Sequence, residues 1–167
     1  MKLPRALRAA TAAALAISLA APMVMLADSG SDTVRARGML QLIWDVSLSA
    51  KSTSTGLNAS GHATFSNTLF DPDASFRGEV TCLRVVGATA TTPATFYAVA
   101  RVIDAPPGSI SQSIHIFGTD SGKFGQFPDT LEAFDSAAPP TDTCPTSFPY
   151  ASRPLADGEV VIDNTLP

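Results

Sequence analysis

The clearest pattern in the chain is an alternation of apolar and polar residues between positions 34 and 50. From Leu40 onwards, apolar side chains stand at every second position, and the residues between them are polar apart from Ile43. Successive side chains of a strand point to opposite faces, so a two-residue period predicts a strand buried on one side. We therefore predict one half-buried strand over residues 34–50. Its inner face comprises Leu40, Leu42, Trp44, Val46 and Leu48.

Further stretches carry strand signals, because they are rich in β-branched and aromatic residues and are separated by turn-forming residues. They cover residues 62–70, 76–87, 95–103, 110–117, 130–134 and 158–162. In three of these strands we expect the following residues on the inner face: Ala63, Phe65 and Leu69; Phe96, Ala98, Ala100 and Val102; Ile110, Ile114 and Ile116. On the strand of residues 110–117, we expect Ser111, Ser113 and His115 to face solvent.

These strands predict an all-β fold. About seven short strands separated by turns are typical of a single antiparallel β-sandwich or a small β-barrel, and the pattern does not decide between the two. No segment with a helical period and caps follows residue 27. We assign one domain to residues 34–167, with residues 28–33 as a flexible polar leader.

The amino-terminal segment, residues 1–27, has the form of a secretory signal peptide. Lys2, Arg5 and Arg8 precede an apolar run that ends in small residues. Cleavage after Ala20 or after Ala27 fits the pattern, and an uncleaved membrane anchor is the alternative. We expect cleavage, a secreted extracellular protein and no stable membrane insertion afterwards.

Removal of residues 1–27 makes the chain more acidic. The count of Lys and Arg falls from 11 to 8 against 15 Asp and Glu, which leaves a net charge of −7 with neutral histidines. A phosphate backbone or an anionic membrane repels such a chain. We therefore expect no nucleic-acid partner, and we expect a monomer.

The two cysteines are expected to form a disulfide, because a pair of cysteines in an exported domain usually does. Cys82 lies on the central strand of residues 76–87, and Cys144 lies in a proline-rich segment, residues 135–154, that cannot run through a sheet. We expect this segment to wrap the surface. In the chain-entropy model, closing a loop of about 60 residues contributes about 4 kcal/mol.

The chain carries no recognisable catalytic or metal-binding motif. His62 and His115 are the only histidines, and no Gly-x-Ser-x-Gly elbow accompanies the serines. The pattern predicts a solvated His115 and places His62 at the start of a strand. Two cysteines and two histidines without close spacing make no metal ligand set, so we expect neither metal nor cofactor. The candidate carboxylates for glycoside hydrolysis need spatial information to choose among them. They are Asp45, Glu79, Glu132 and Glu159.

Several segments resemble a group of small secreted actinobacterial β-domain proteins. The resemblance covers roughly residues 62–163 and fits residues 34–60 less well. It implies a compact β domain with a Cys82–Cys144 bridge, and it implies no activity. The segments that carry it are Gly78-Glu79-Val80-Thr81-Cys82-Leu83, Val85-Val86-Gly87, Asp120-Ser121-Gly122, Pro128-Asp129-Thr130-Leu131, Cys144 and Asp157-Gly158-Glu159-Val160-Val161-Ile162.

Three functions fit these expectations. The first is a non-catalytic domain that binds an extracellular or cell-envelope partner, and we favour it because motifs are absent. The second is a small barrel that carries a hydrophobic ligand. The third is a secreted hydrolase. Phe124 and Phe127 are our hypothesis for an exposed contact patch, because the small residues beside them cannot bury them locally.

Overall fold

The structure is a computed structural model, and it describes most of the chain beyond the predicted signal peptide. The described residues are 30–40, 43–67, 74–89, 91–122, 128–147 and 151–164. The predicted signal peptide and the Phe124–Phe127 patch lie outside these residues, as do the predicted core positions Leu42 and Leu69.

The described residues form an all-β fold, as the sequence predicts. Nine strands follow one another along the chain. They are β1 (Ser31–Leu40), β2 (Trp44–Thr53), β3 (Ser60–Asn67), β4 (Ser75–Val86), β5 (Ala94–Asp104), β6 (Ser113–Asp120), β7 (Thr130–Ser136), β8 (Arg153–Pro154) and β9 (Asp157–Asn164).

All nine strands belong to one antiparallel sheet with the order β8-β7-β6-β5-β4-β3-β2-β1-β9. The sheet curls into a half-barrel, which decides against a sandwich of two sheets. Between β8 and β9 the chain passes from one end of the sheet to the other. The Leu155 N–H donates to the carbonyl of Asp129 at 3.0 Å, and the Ala156 N–H donates to that of Met39 at 3.4 Å.

The prediction of one strand over residues 34–50 is wrong, because these residues form a hairpin of β1 and β2. Leu40 pairs with Trp44 across the turn. Paired residues of an antiparallel hairpin point to the same face, so the alternation continues through the turn without a break. The predicted leader also ends too late, since β1 begins at Ser31. Its polar residues Ser31 and Thr33 lie on the solvent side of the strand.

The inner face of the curled sheet holds the main core. Trp44 is half-buried and stacks on Phe65 with 4.5 Å between ring centroids, and Phe65 in turn contacts Phe76. Most of the predicted inward residues are buried there, while Val102 packs at the margin. The buried ones are Leu40, Val46, Leu48, Ala63, Phe65, Phe96, Ala98, Ala100, Ile114 and Ile116.

Ile110 corrects the prediction for the strand of residues 110–117. Its side chain is 77% exposed, because β6 begins only at Ser113. The residues before it belong to the turn that follows Pro106 and Pro107, where the Ser109 N–H donates to the Pro106 carbonyl at 3.0 Å. Alternation alone therefore placed the start of this strand three residues too early.

A second, smaller core lies on the outer face of β4, β5 and β6. Cys82, Tyr97, Val99 and Phe117 are buried there, together with half-buried Phe134 and Cys144. The described part of the proline-rich segment, residues 137–147, covers them, and we call this part the strap. The predicted disulfide between Cys82 and Cys144 is present, with 5.4 Å between the Cα atoms. The prediction that this segment wraps the surface is therefore confirmed for the strap.

Two aspartates tie β9 to the strands at the other end of the sheet. Asp129 accepts the Val160 N–H through Oδ2 at 2.8 Å and the Ser121 N–H through Oδ1 at 2.9 Å. Asp120 accepts the Ile162 N–H through Oδ2 at 2.9 Å. These carboxylates satisfy donors on the edge of β9 that does not pair with β1. We call this arrangement the carboxylate seam.

Candidate functional site

His115 lies under the strap and is half-buried, which contradicts the prediction of a solvated side chain. It faces Val99 on β5 and Phe134 on β7. Its ring stacks on the ring of Phe134 with 4.7 Å between centroids and 4° between planes. The polar face of β6 is covered from outside by a distant segment, which alternation along β6 cannot reveal.

Both ring nitrogens of His115 have hydrogen-bond partners. Nδ1 lies 2.6 Å from the Tyr97 hydroxyl, and Nε2 lies 3.2 Å from Ser113 Oγ. Because the Ser113 hydroxyl donates to the Ala138 carbonyl at 2.9 Å, its oxygen must accept from Nε2–H. Nδ1 then accepts from Tyr97. The network is satisfied with a neutral imidazole.

Burial favours the neutral form of both titratable groups in this network. Desolvation lowers the pKa of His115 from its ordinary 6.5 and raises the pKa of Tyr97 above 10.0. The uncharged tautomer that the hydrogen bonds require is therefore the form that the environment stabilises at neutral pH.

The network resembles a Ser–His–acid triad in its connections but does not supply an active nucleophile. A triad serine must be accessible and must give its proton to histidine. Ser113 is 0% exposed, and its proton is directed at Ala138. Tyr97 occupies the position of the acid, and a neutral phenol cannot stabilise an imidazolium as a carboxylate does. The chemistry that this arrangement supports is structural.

The predicted carboxylates fall into separate places. Glu132 forms an ion pair with Arg153, with Oε2 2.9 Å from Nε. Glu79 stands beside His62 on the outer face. Only Asp45 and Glu159 line the same depression, a groove of about 390 Å³ at one end of β1, β2 and β9. Glu159 is exposed, whereas a general acid of a glycosidase needs an apolar environment.

The outer face of β1, β2 and β3 carries a different groove, of about 430 Å³. Arg35 on β1 faces Ser49 on β2, and Ser49 faces His62 on β3. Lys51 stands two residues beyond Ser49 on the same face. All four side chains are exposed and line the groove. We call this the cationic groove.

The spacing of its charges follows from the register. Arg35 and His62 flank Ser49, so their Cβ atoms lie about 10 Å apart, two strand spacings. Lys51 is the diagonal neighbour of both, at about 7–8 Å. Among the described residues, none of these three side chains has an ion-pair partner within 4 Å. Three basic groups on three strands therefore surround one short serine.

Sequence reasoning missed this groove, although it places His62 correctly near the start of β3. In one continuous strand, Arg35 and Ser49 would lie at opposite ends of a 34–50 segment. The hairpin instead makes them direct neighbours. A turn signal near residues 41–43 would have revealed the groove, but the alternation runs through that point.

The described part of the chain contains no helix that is long and apolar enough to cross a membrane. In the same residues, no three His, Cys, Asp or Glu side chains lie together as metal ligands would. No family model, curated protein or solved structure matches the chain. The geometry of the described residues is therefore the basis for assigning a function.

Proposed function

We propose that this protein is a secreted, non-catalytic β domain that binds an extracellular or cell-envelope partner as a monomer. The observation that carries the proposal is the cationic groove. Its three basic side chains are exposed and lack ion-pair partners among the described residues, so they are available to a ligand. Basic groups gathered on one surface steer and orient a partner of opposite charge.

The packing of the described side chains on the inner face of the half-barrel supports binding at the surface over carriage of a hydrophobic ligand. Large side chains from facing strands occupy the inner face, including fully buried Phe96, Leu48 and Ile114. A carrier needs an apolar cavity that encloses most of its ligand.

The sealed histidine network supports a non-catalytic role. Ser113 is the serine that His115 contacts, and the strap covers it. His62 is exposed, and its facing neighbours are Ser49 and Glu79. A hydrolytic site at His62 would need an oxyanion hole and an oriented acid, and neither is among the described contacts.

Secretion is part of the same proposal. Residues 1–27 have the form of a signal peptide, and the Cys82–Cys144 bridge belongs to an oxidising compartment. The resemblance to small secreted actinobacterial proteins agrees with this location.

Co-sedimentation with isolated cell envelopes of the producing organism tests the proposed function. We expect the wild-type protein to pellet with the envelopes, and the double variant Arg35→Gln/His62→Gln to remain in solution. Arg101→Gln is the matched control, because Arg101 is exposed on the outer face of β5, beyond the groove. Wild-type protein that stays in solution, or a double variant that pellets as well as the control, would refute the proposal.

A further inference from the structure

We propose that the cationic groove binds a phosphate group of a phosphodiester-linked envelope polymer. This inference deepens the proposed function and rests on it. Its structural basis is the placement of Arg35, Lys51 and His62 around Ser49 on three neighbouring strands.

The charge distribution singles out this groove. The chain has 11 Lys and Arg against 15 Asp and Glu, yet three basic side chains converge here. The acidic groups of the two neighbouring strands stand at the margin of the groove. Asp163 on β9 faces Thr33 on β1, and Glu79 on β4 faces His62 on β3. An anion in the centre of the groove therefore meets basic groups first.

The geometry favours a tetrahedral oxyanion over a carboxylate. One guanidinium satisfies a planar carboxylate through two parallel hydrogen bonds. Here the donors approach from three directions, since Arg35, Lys51 and His62 belong to β1, β2 and β3. Three separate donors match the several oxygens of a phosphate, and the exposed hydroxyl of Ser49 between them adds a fourth.

The floor of the groove has room for a phosphate group. Ser47 and Ser49 are consecutive outward residues of β2, between Asp45 and Lys51, and the longer Arg35 and Arg37 stand beside them on β1. On the other side, Thr64 and His62 face the same two serines from β3. The two short serines thus form a shallow depression between longer side chains, with Lys51 at one end and Asp45 at the other.

The surroundings disfavour the other carriers of phosphate. A lipid surface would also meet the exposed acidic residues of β9, namely Asp157, Glu159 and Asp163, and would be repelled by them. Single-stranded nucleic acid is held by bases that stack on aromatic side chains, and the described residues that line the groove include no Phe, Tyr or Trp. A slender polymer of phosphates and polyols can place one phosphate at the centre of the groove without spreading over β9, and it has no bases that need aromatic partners.

The test is an NMR titration of the isotope-labelled mature protein with inorganic phosphate, in parallel with acetate and chloride at equal ionic strength. We expect phosphate to shift the amide signals of Ser49, Lys51, Gly61 and His62 saturably, and acetate and chloride to shift them much less. Loss of the exposed Arg35 charge contact should weaken phosphate binding about threefold, and Arg35→Gln/His62→Gln should weaken it by at least this factor because it also removes the His62 imidazole donor. Arg101→Gln, which removes the same charge outside the groove, should change it less than twofold.

Equal shifts with acetate, or equal weakening by Arg101→Gln, would overturn the assignment. Envelope binding separates this failure from failure of the proposed function. If the wild type pellets with envelopes and phosphate does not compete, the phosphate site is wrong while the binding role stands. If phosphate binds the groove but the protein does not pellet, the envelope role is wrong. If inorganic phosphate releases the protein from the envelope pellet, and phosphatidylglycerol vesicles show no binding of the protein that phosphate can reverse, the source of the phosphate group is a polymer and not a lipid.

Discussion

The carboxylate seam predicts that Asp129 is one of the most important polar residues for stability. Its two oxygens accept N–H groups from Ser121, which is 4% exposed, and from Val160, which is 2% exposed. In an Asp129→Ala variant both donors lose their partner at a buried site. A hydrogen bond to a charged group contributes about 1.5–3 kcal/mol, so the variant should lose about 3–6 kcal/mol of unfolding free energy.

An Asp129→Asn variant refines this prediction. The amide oxygen can accept one of the two N–H groups, while the amide NH₂ meets the other donor without an acceptor. We expect about half of the alanine effect, about 1.5–3 kcal/mol. Asp163→Asn is the control, because it removes the same charge from an exposed position of β9 and should cost no more than about 0.5 kcal/mol.

Urea unfolding followed by the fluorescence of Trp44, the only tryptophan, measures all three variants. Trp44 stacks on Phe65 in the main core, so its signal reports the loss of the half-barrel. The reasoning is refuted if Asp129→Ala is as stable as Asp163→Asn, or if asparagine and alanine at position 129 destabilise equally.

Three more predictions concern the disulfide, the buried histidine and the expected contact patch. Replacement of both Cys82 and Cys144 by alanine should lower the unfolding free energy by about 4 kcal/mol in urea titrations, because the disulfide joins residues with a sequence separation of 62. An unchanged urea midpoint would contradict this prediction. Because burial lowers the pKa of His115, the unfolded chain binds a proton that the folded chain does not. Stability should therefore fall as the pH drops below about 6.5 and level off below the folded-state pKa, and a His115→Gln variant with the same slope would refute this. Replacement of Phe124 and Phe127 by serine should leave the urea midpoint unchanged and weaken envelope co-sedimentation, whereas loss of folding would show that they are core residues.

The sequence was sufficient to predict most of the strands, because their alternation is a local signal. Val46 and Leu48 are buried on β2, and Ala98 and Ala100 are buried on β5, as their spacing indicates. The same signal cannot locate a hairpin turn whose paired residues share a face. For that reason the β1–β2 hairpin was predicted as one strand, and the groove between Arg35 and Ser49 remained hidden.

The functional environment of His115 could not be predicted for a different reason. Its burial comes from Ala138 and the rest of the strap, which lie more than twenty residues further along the chain. The proline-rich segment and Cys144 indicate that this segment covers part of the sheet, but they do not indicate which strands lie beneath it. The cross-strand distances that place Tyr97 beside His115 arise only from the register of β5 and β6.

The pairing of β1 with β9 sets the order in which the protein can fold. Val34 pairs with Ile162, so the sheet is completed by contacts between almost the first and the last described residues. Non-local pairings of this kind slow folding, because a long loop must close before any contact rewards it. Until β9 arrives, β1 presents an unpaired edge that other chains could extend. Folding speed, more than final stability, therefore governs how long this protein is exposed to aggregation.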